Sequence, residues 1–220
     1  MTRRLLLLAG LIIGTSSLGV AGTCVMGTMA SYIAAGSCSI DGLTFSNFSY
    51  SGTGSGGVHA IPADGVNVVP SGLGFEFTAP WNVGPNQELD SGIGFTVTAA
   101  PGTSITDLLL KMGGFSTMST GTVNVSETTD ISGVPLSLGV FDNSHGAKDT
   151  ASATFAGQSS LNILKDVAVN GHASGSAAVS FVFNQFSTGG TVPEPASMLL
   201  LGSGLLGLTG FVRRRRATRS

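Results

Sequence analysis

The sequence predicts an all-β fold: a single β-sandwich, Ig-like or jelly-roll-like, with an N-terminal signal-peptide helix before it and a C-terminal transmembrane helix after it. Three observations predict it. Between residues 43 and 186, short segments alternate large apolar with small polar residues, the period-two pattern of a strand with one buried face. Clusters of Gly, Pro, Asn and Asp separate these segments and supply turn geometry. Long helix-favouring stretches are almost absent from the same region.

Taken in order, Thr2-Arg3-Arg4 is a short basic region, Leu5–Ile13 is apolar, and Gly19-Val20-Ala21-Gly22 offers small residues for cleavage. This is the pattern of a secretory signal peptide, assigned to residues 1–22. Cys24 and Cys38 are the only cysteines. In an exported chain a disulfide between them is the simplest expectation. A metal site would need further ligands nearby, and the sequence offers none. Ala30–Ala35, between the cysteines, reads as a short helical turn.

The core domain is assigned to residues 23–187. Strands are predicted at Leu43–Tyr50, Leu73–Thr78, Ile93–Thr98, Thr122–Ser126, Leu136–Phe141, Leu161–Val169 and Ala177–Phe186. Weaker signals fall at Val66–Val69, Ile105–Lys111 and Ala151–Phe155, for nine or ten strands in all. Phe75 and Phe77 are placed on one face with Glu76 on the other; Val179, Phe181 and Phe183 are placed in register. Residues 188–192 read as a polar linker.

The core carries three lysines (Lys111, Lys148 and Lys165) against eleven carboxylates, a net charge of about −8, because all arginine lies at the two ends. That balance argues against nucleic acid and anionic lipid as partners. His59, His145 and His172 sit among turn residues without metal-ligand spacing. Gly52-Thr53-Gly54-Ser55-Gly56 matches neither a nucleophile elbow nor a phosphate loop. Glu76, Glu88 and Glu127 show nothing that would single out a glycosidase pair. Asp142, Asn143 and Asp149 offer oxygen ligands, but no calcium-loop pattern contains them. The expectation is therefore no catalytic residues, no metal and no cofactor.

Trp81, the single tryptophan, lies in a Pro-flanked stretch with Asn82, Asn86 and Gln87 close by. It is either a plug at the end of the sandwich or an exposed platform on which a sugar ring stacks. The second option gives an alternative function, a carbohydrate-binding module using Trp81, Asn82, Asn86 and Gln87.

The last stretch has three parts in fixed order: Pro193-Glu194-Pro195, an uncharged apolar run over Ala196–Val212, and Arg213-Arg214-Arg215-Arg216. About 17 apolar residues reach the lower limit for a membrane span. Arginines beyond it stay on the cytoplasmic side. Either a sorting signal or a permanent single-span anchor fits these features. Together, Val192–Pro195, the Leu199-Leu200-Leu201-Gly202 region and Arg213–Arg216 resemble the PEP-CTERM sorting signal of Gram-negative bacteria, here residues 193–220. The resemblance implies an exosortase that removes the tail, transient inner-membrane insertion, signal peptidase as a second processing partner, and delivery to the cell surface or extracellular matrix. The stretches Gly42–Phe48, Gly74–Phe77 and Ser91–Val97 resemble uncharacterised bodies of other PEP-CTERM proteins, which implies no activity. The expected role is structural or adhesive, within biofilm or exopolysaccharide, and non-enzymatic.

Overall fold

The computed structural model describes residues 21–190. The signal-peptide assignment, apart from Ala21 and Gly22, lies outside these residues, as do Pro193–Pro195, the Ala196–Val212 span and Arg213–Arg216. Among the described residues no helix is long and apolar enough to cross a membrane.

The N-terminal segment bridges the two layers of the molecule. Strand β1 (Gly27–Thr28) leads into helix α1 (Met29–Ala35), which is followed by β2 (Ser37–Ile40). Thr28 and Ser31 cap α1 reciprocally, each side chain accepting from the other's backbone N–H. Gly36 ends the helix with a φ of 77°. Cys24 and Cys38 form the expected disulfide, with their Cα atoms 4.8 Å apart. Tyr32 turns inward from α1 and donates its hydroxyl to the Val25 carbonyl at 2.7 Å. Burial pushes its pKa up to about 12.

Twelve further strands follow: β3 (Leu43–Ser55), β4 (Asn67–Ser71), β5 (Gly74–Val83), β6 (Glu88–Ala99), β7 (Thr103–Gly113), β8 (Ser116–Met118), β9 (Thr122–Ile131), β10 (Val134–Asn143), β11 (Gly146–Lys148), β12 (Thr150–Gln158), β13 (Ser160–Asn170) and β14 (Ser176–Gly190). They form two sheets. The first runs β11-β10-β9-β13-β6-β3-β2; the second runs β1-β4-β5-β14-β7-β12, with β8 also paired to β14. The sheets pack face to face as a sandwich. Their inner faces meet in one apolar core, in which Phe45, Phe75, Phe77 and Phe95 are buried. These rings join Tyr32, Phe48 and Phe186 in a continuous aromatic cluster with centroids 4.6 to 6.3 Å apart.

Each predicted segment coincides with a strand, except that Val66 and Leu73 lie one residue before β4 and β5, and the helical turn falls in α1. The four short strands β1, β2, β8 and β11 were not expected. Two expectations are corrected. Residues 188–190 are not linker: Thr188, Gly189 and Gly190 pair with Ile105, Ser104 and Thr103, so β14 keeps its ladder to the end. In β14 the inward face is not the one expected beyond Val179. The pairing with β5 slips between Val179 and Phe181, and this irregularity reverses the alternation. Val182, Asn184 and Phe186 are therefore buried, while Phe181 and Phe183 are only partly so.

Candidate functional site

Trp81 lies within β5 and not in a loop, and its side chain enters the core with 1% of its surface exposed. Its indole Nε1 donates to Ser91 Oγ at 3.0 Å. The Tyr50 hydroxyl lies 3.0 Å from the same Oγ and 2.8 Å from the Ile61 carbonyl. The carbonyl can only accept, so Tyr50 donates to it and Ser91 donates to Tyr50. A single chain, indole to serine to phenol to backbone, thus satisfies the buried indole and serine and the half-buried phenol. Trp81 is a plug, not a platform: neither ring face reaches solvent to stack on a sugar.

Its expected helpers do not converge on the ring. Asn82 follows Trp81 on a strand and so projects to the opposite, exposed face, where Nδ2 donates to the Pro80 carbonyl at 3.1 Å. Asn86 takes a positive φ of 58° in the β5–β6 connection, and Gln87 Oε1 accepts from the Gly84 backbone N–H at 2.8 Å. Asn86 and Gln87 shape a turn. A shallow depression of about 330 Å³ on the outer face of the second sheet is bordered by Asn67, Thr78, Asn82 and Ser180, with no titratable side chain on its rim.

The other polar candidates are also turn-bound. Asn143 Oδ1 accepts from the His145 N–H at 2.8 Å, and Asn170 Oδ1 from the His172 N–H at 2.7 Å. Asp142 Oδ2 accepts from Thr117, and Asp149 Oδ1 from Thr150. No three His, Cys, Asp or Glu side chains gather as a metal site among the described residues.

One cluster was not singled out by the sequence. Glu127 on β9 and Lys165 on β13 are register partners in the first sheet, and both side chains point into the core. Lys165 Nζ donates to Glu127 Oε2. From the facing sheet, Asn184 on β14 donates its Nδ2 to the same oxygen at 2.6 Å. Lys165 and Asn184 are completely buried, and Glu127 is 1% exposed. Burial lowers the Lys165 pKa, an effect that the adjacent Glu127 carboxylate opposes. Glu127 Oε1, Asn184 Oδ1 and the nearby Thr129 Oγ1 are buried without a hydrogen-bond partner. The cluster joins the two sheets by polar contacts in a largely apolar interior.

The remaining functional element lies just past β14. Residues 191–216 match the family model of the PEP-CTERM protein-sorting motif. The chain carries a PEP-CTERM sorting motif. It begins one residue after the last strand ends at Gly190. The motif marks the protein for export and for membrane-associated sorting in a Gram-negative bacterium.

No curated protein matches this PEP-CTERM chain in sequence. Among solved structures it is similar to TmCBM61 in complex with beta-1,4-galactotriose, at 14% identity and a TM-score of 0.33 over 64% of this chain and 89% of that one. It is also similar to the family 11 carbohydrate-binding module from Clostridium thermocellum in complex with a beta-1,3-1,4-mixed-linked tetrasaccharide, at 10% identity and a TM-score of 0.21 over 66% and 89%. A third is the enzymatically active domain of bacteriophage CBA120 tailspike protein 4, at 18% identity and a TM-score of 0.26 over 64% of this chain and 19% of that one.

Proposed function

We propose that the protein is a non-enzymatic structural or adhesive component of the cell surface or extracellular polymer matrix, delivered there by exosortase. The observation that carries this reading is the PEP-CTERM motif joined directly to the final strand of the sandwich. On this reading signal peptidase removes residues 1–22 and the Cys24–Cys38 bond closes after export. The core then folds outside the inner membrane. The apolar run Ala196–Val212 holds the chain in that membrane with Arg213–Arg216 on the cytoplasmic side. Exosortase cuts near Pro193-Glu194-Pro195, and the freed core passes to the surface or the exopolysaccharide.

Any contact with polysaccharide falls to exposed polar groups such as Asn82, because the Trp81 ring is enclosed. The test is intact mass combined with cell fractionation of the protein from a host that contains exosortase. A surface or matrix form lacking both terminal segments is expected. A chain still carrying Ala196–Arg216 in the inner membrane would make the tail a permanent anchor and end this reading.

A further inference from the structure

From the geometry of the Glu127–Lys165–Asn184 cluster, we propose that the core closes a covalent isopeptide bond between Lys165 Nζ and Asn184 Cγ, with Glu127 as the catalytic proton carrier.

Three observations support it. First, the nucleophile and the acceptor are placed together: the Lys165 amine and the Asn184 carboxamide both donate to Glu127 Oε2, the latter at 2.6 Å. Two nitrogens sharing one oxygen lie within a few ångströms of each other, and the burial that fixes them excludes the water that would compete. Second, burial favours the uncharged amine, which is the form with a lone pair to give. Third, the unreacted cluster is unsatisfied, with Glu127 Oε1 and Asn184 Oδ1 both lacking partners.

The step balances without an oxidant or cofactor. Lys165 Nζ passes a proton to Glu127, and its lone pair attacks Asn184 Cγ. The attacking nitrogen gives up a second proton; Glu127 relays one proton to Nδ2, which leaves the tetrahedral carbon as ammonia, and keeps the other. One C–N bond forms and one breaks. The product replaces a buried ammonium and a primary amide with one secondary amide. Its N–H donates to one oxygen of Glu127, and the protonated Glu127 donates from the other oxygen to the former Asn184 Oδ1. Both of those orphaned atoms then gain partners, and no buried charge remains.

The bond would tie β13, inside the first sheet, to β14, the strand in the second sheet that immediately precedes the sorting motif. The inference does not depend on where the tail is cut.

The test is peptide mapping of the full-length protein purified folded from an exporting host, then denatured and reduced. A protease that cuts before aspartate separates Lys165 from Asp166. The expected result is that the peptide ending in Lys165 and the peptide containing Asn184 stay joined, at one ammonia less than their summed mass. Trypsin is also expected to leave the Lys165–Asp166 bond uncut. A succinimide at Asn170-Gly171 also loses ammonia, but within a single peptide, so only the joined pair counts. Two separate peptides at their sequence masses from the folded wild type would overturn the proposal. Glu127→Gln is expected to abolish the link, and persistence of the link in it would overturn the role of Glu127. Asn184→Leu keeps the Glu127–Lys165 pair and lacks the acceptor carbon; a joined pair in that variant would likewise overturn the assignment.

Discussion

Lys165 is one of three lysines in a core that carries eleven carboxylates, yet it lies in the interior with Glu127 while most of the acids face water. Burying both charges costs several kcal/mol per ion unless the geometry repays it. Removing one partner alone leaves an uncompensated charge, which typically costs about 3–5 kcal/mol. Its chain neighbour Asp166 has a different problem on the outer face. Partial burial raises its pKa, and Asp90 raises it further through charge and a shared hydrogen bond. A carboxyl whose pKa rises on folding binds its proton more tightly in the folded state. Stability from this group therefore increases as pH falls through the raised value, and at neutral pH the ionised pair is a penalty. Asp166→Asn removes that penalty. It is expected to raise Tm at about pH 7 and to lose this advantage by about pH 3, where Asp166 is largely protonated in the folded and the unfolded protein alike. Thermal melts of the two proteins across that range check it; a lower Tm for Asp166→Asn at neutral pH would mean that the Asp90–Asp166 contact is net favourable.

At the scale of elements, β14 makes the largest demands, since it pairs with β5 on one side and with β7 and β8 on the other. Gly74 on β5 sits where a methyl group would overlap the carbonyl oxygen of Asn184. Gly74→Ala must push β5 away from β14 in a packed sheet, and overpacking of this kind costs about 1–3 kcal/mol. A fall in the urea midpoint with an unchanged slope is the expected readout. The same strands show how far the sequence could be read. On β13, Leu161, Ile163, Lys165, Val167 and Val169 share one phase, so the inward position of Lys165 is written in the alternation. On β9, Val123 and Val125 set the phase, and Glu127 follows two residues later; ending that strand at Ser126 hid it. Asn184 could not be found this way. The slip after Val179 reverses the faces of β14, and such an irregularity depends on pairing with β5, which local sequence does not encode. Trp81 shows the same limit: prolines at 80 and 85 suggested a loop, but Pro80 is exposed within β5 while Trp81 turns inward.

For the whole molecule, the N-terminal segment is where the two sheets are tied together. The segment from Cys24 to Ile40 contributes β1 to one sheet and β2 to the other, and α1 packs its Met29 and Tyr32 into the core between them. The Cys24–Cys38 bond, across a separation of 14 residues, fixes that bridge. A closed loop of about 15 residues is worth about 3 kcal/mol in the chain-entropy account. For a domain of this size each kcal/mol shifts Tm by about 2–4 °C, so the bond corresponds to roughly 6–12 °C. Protein retained in a reducing cytoplasm is therefore expected to fold with a lower Tm by that amount and to recover it on oxidation. Thermal melts of the reduced and oxidised protein, together with a Cys24→Ala/Cys38→Ala double variant, decide the point. If the double variant melts with the oxidised wild type, the two sheets are held at this end by Met29, Tyr32 and the aromatic cluster alone, and the bond contributes nothing to the fold. If it melts with the reduced form, stability at this end of the sandwich is completed only after export.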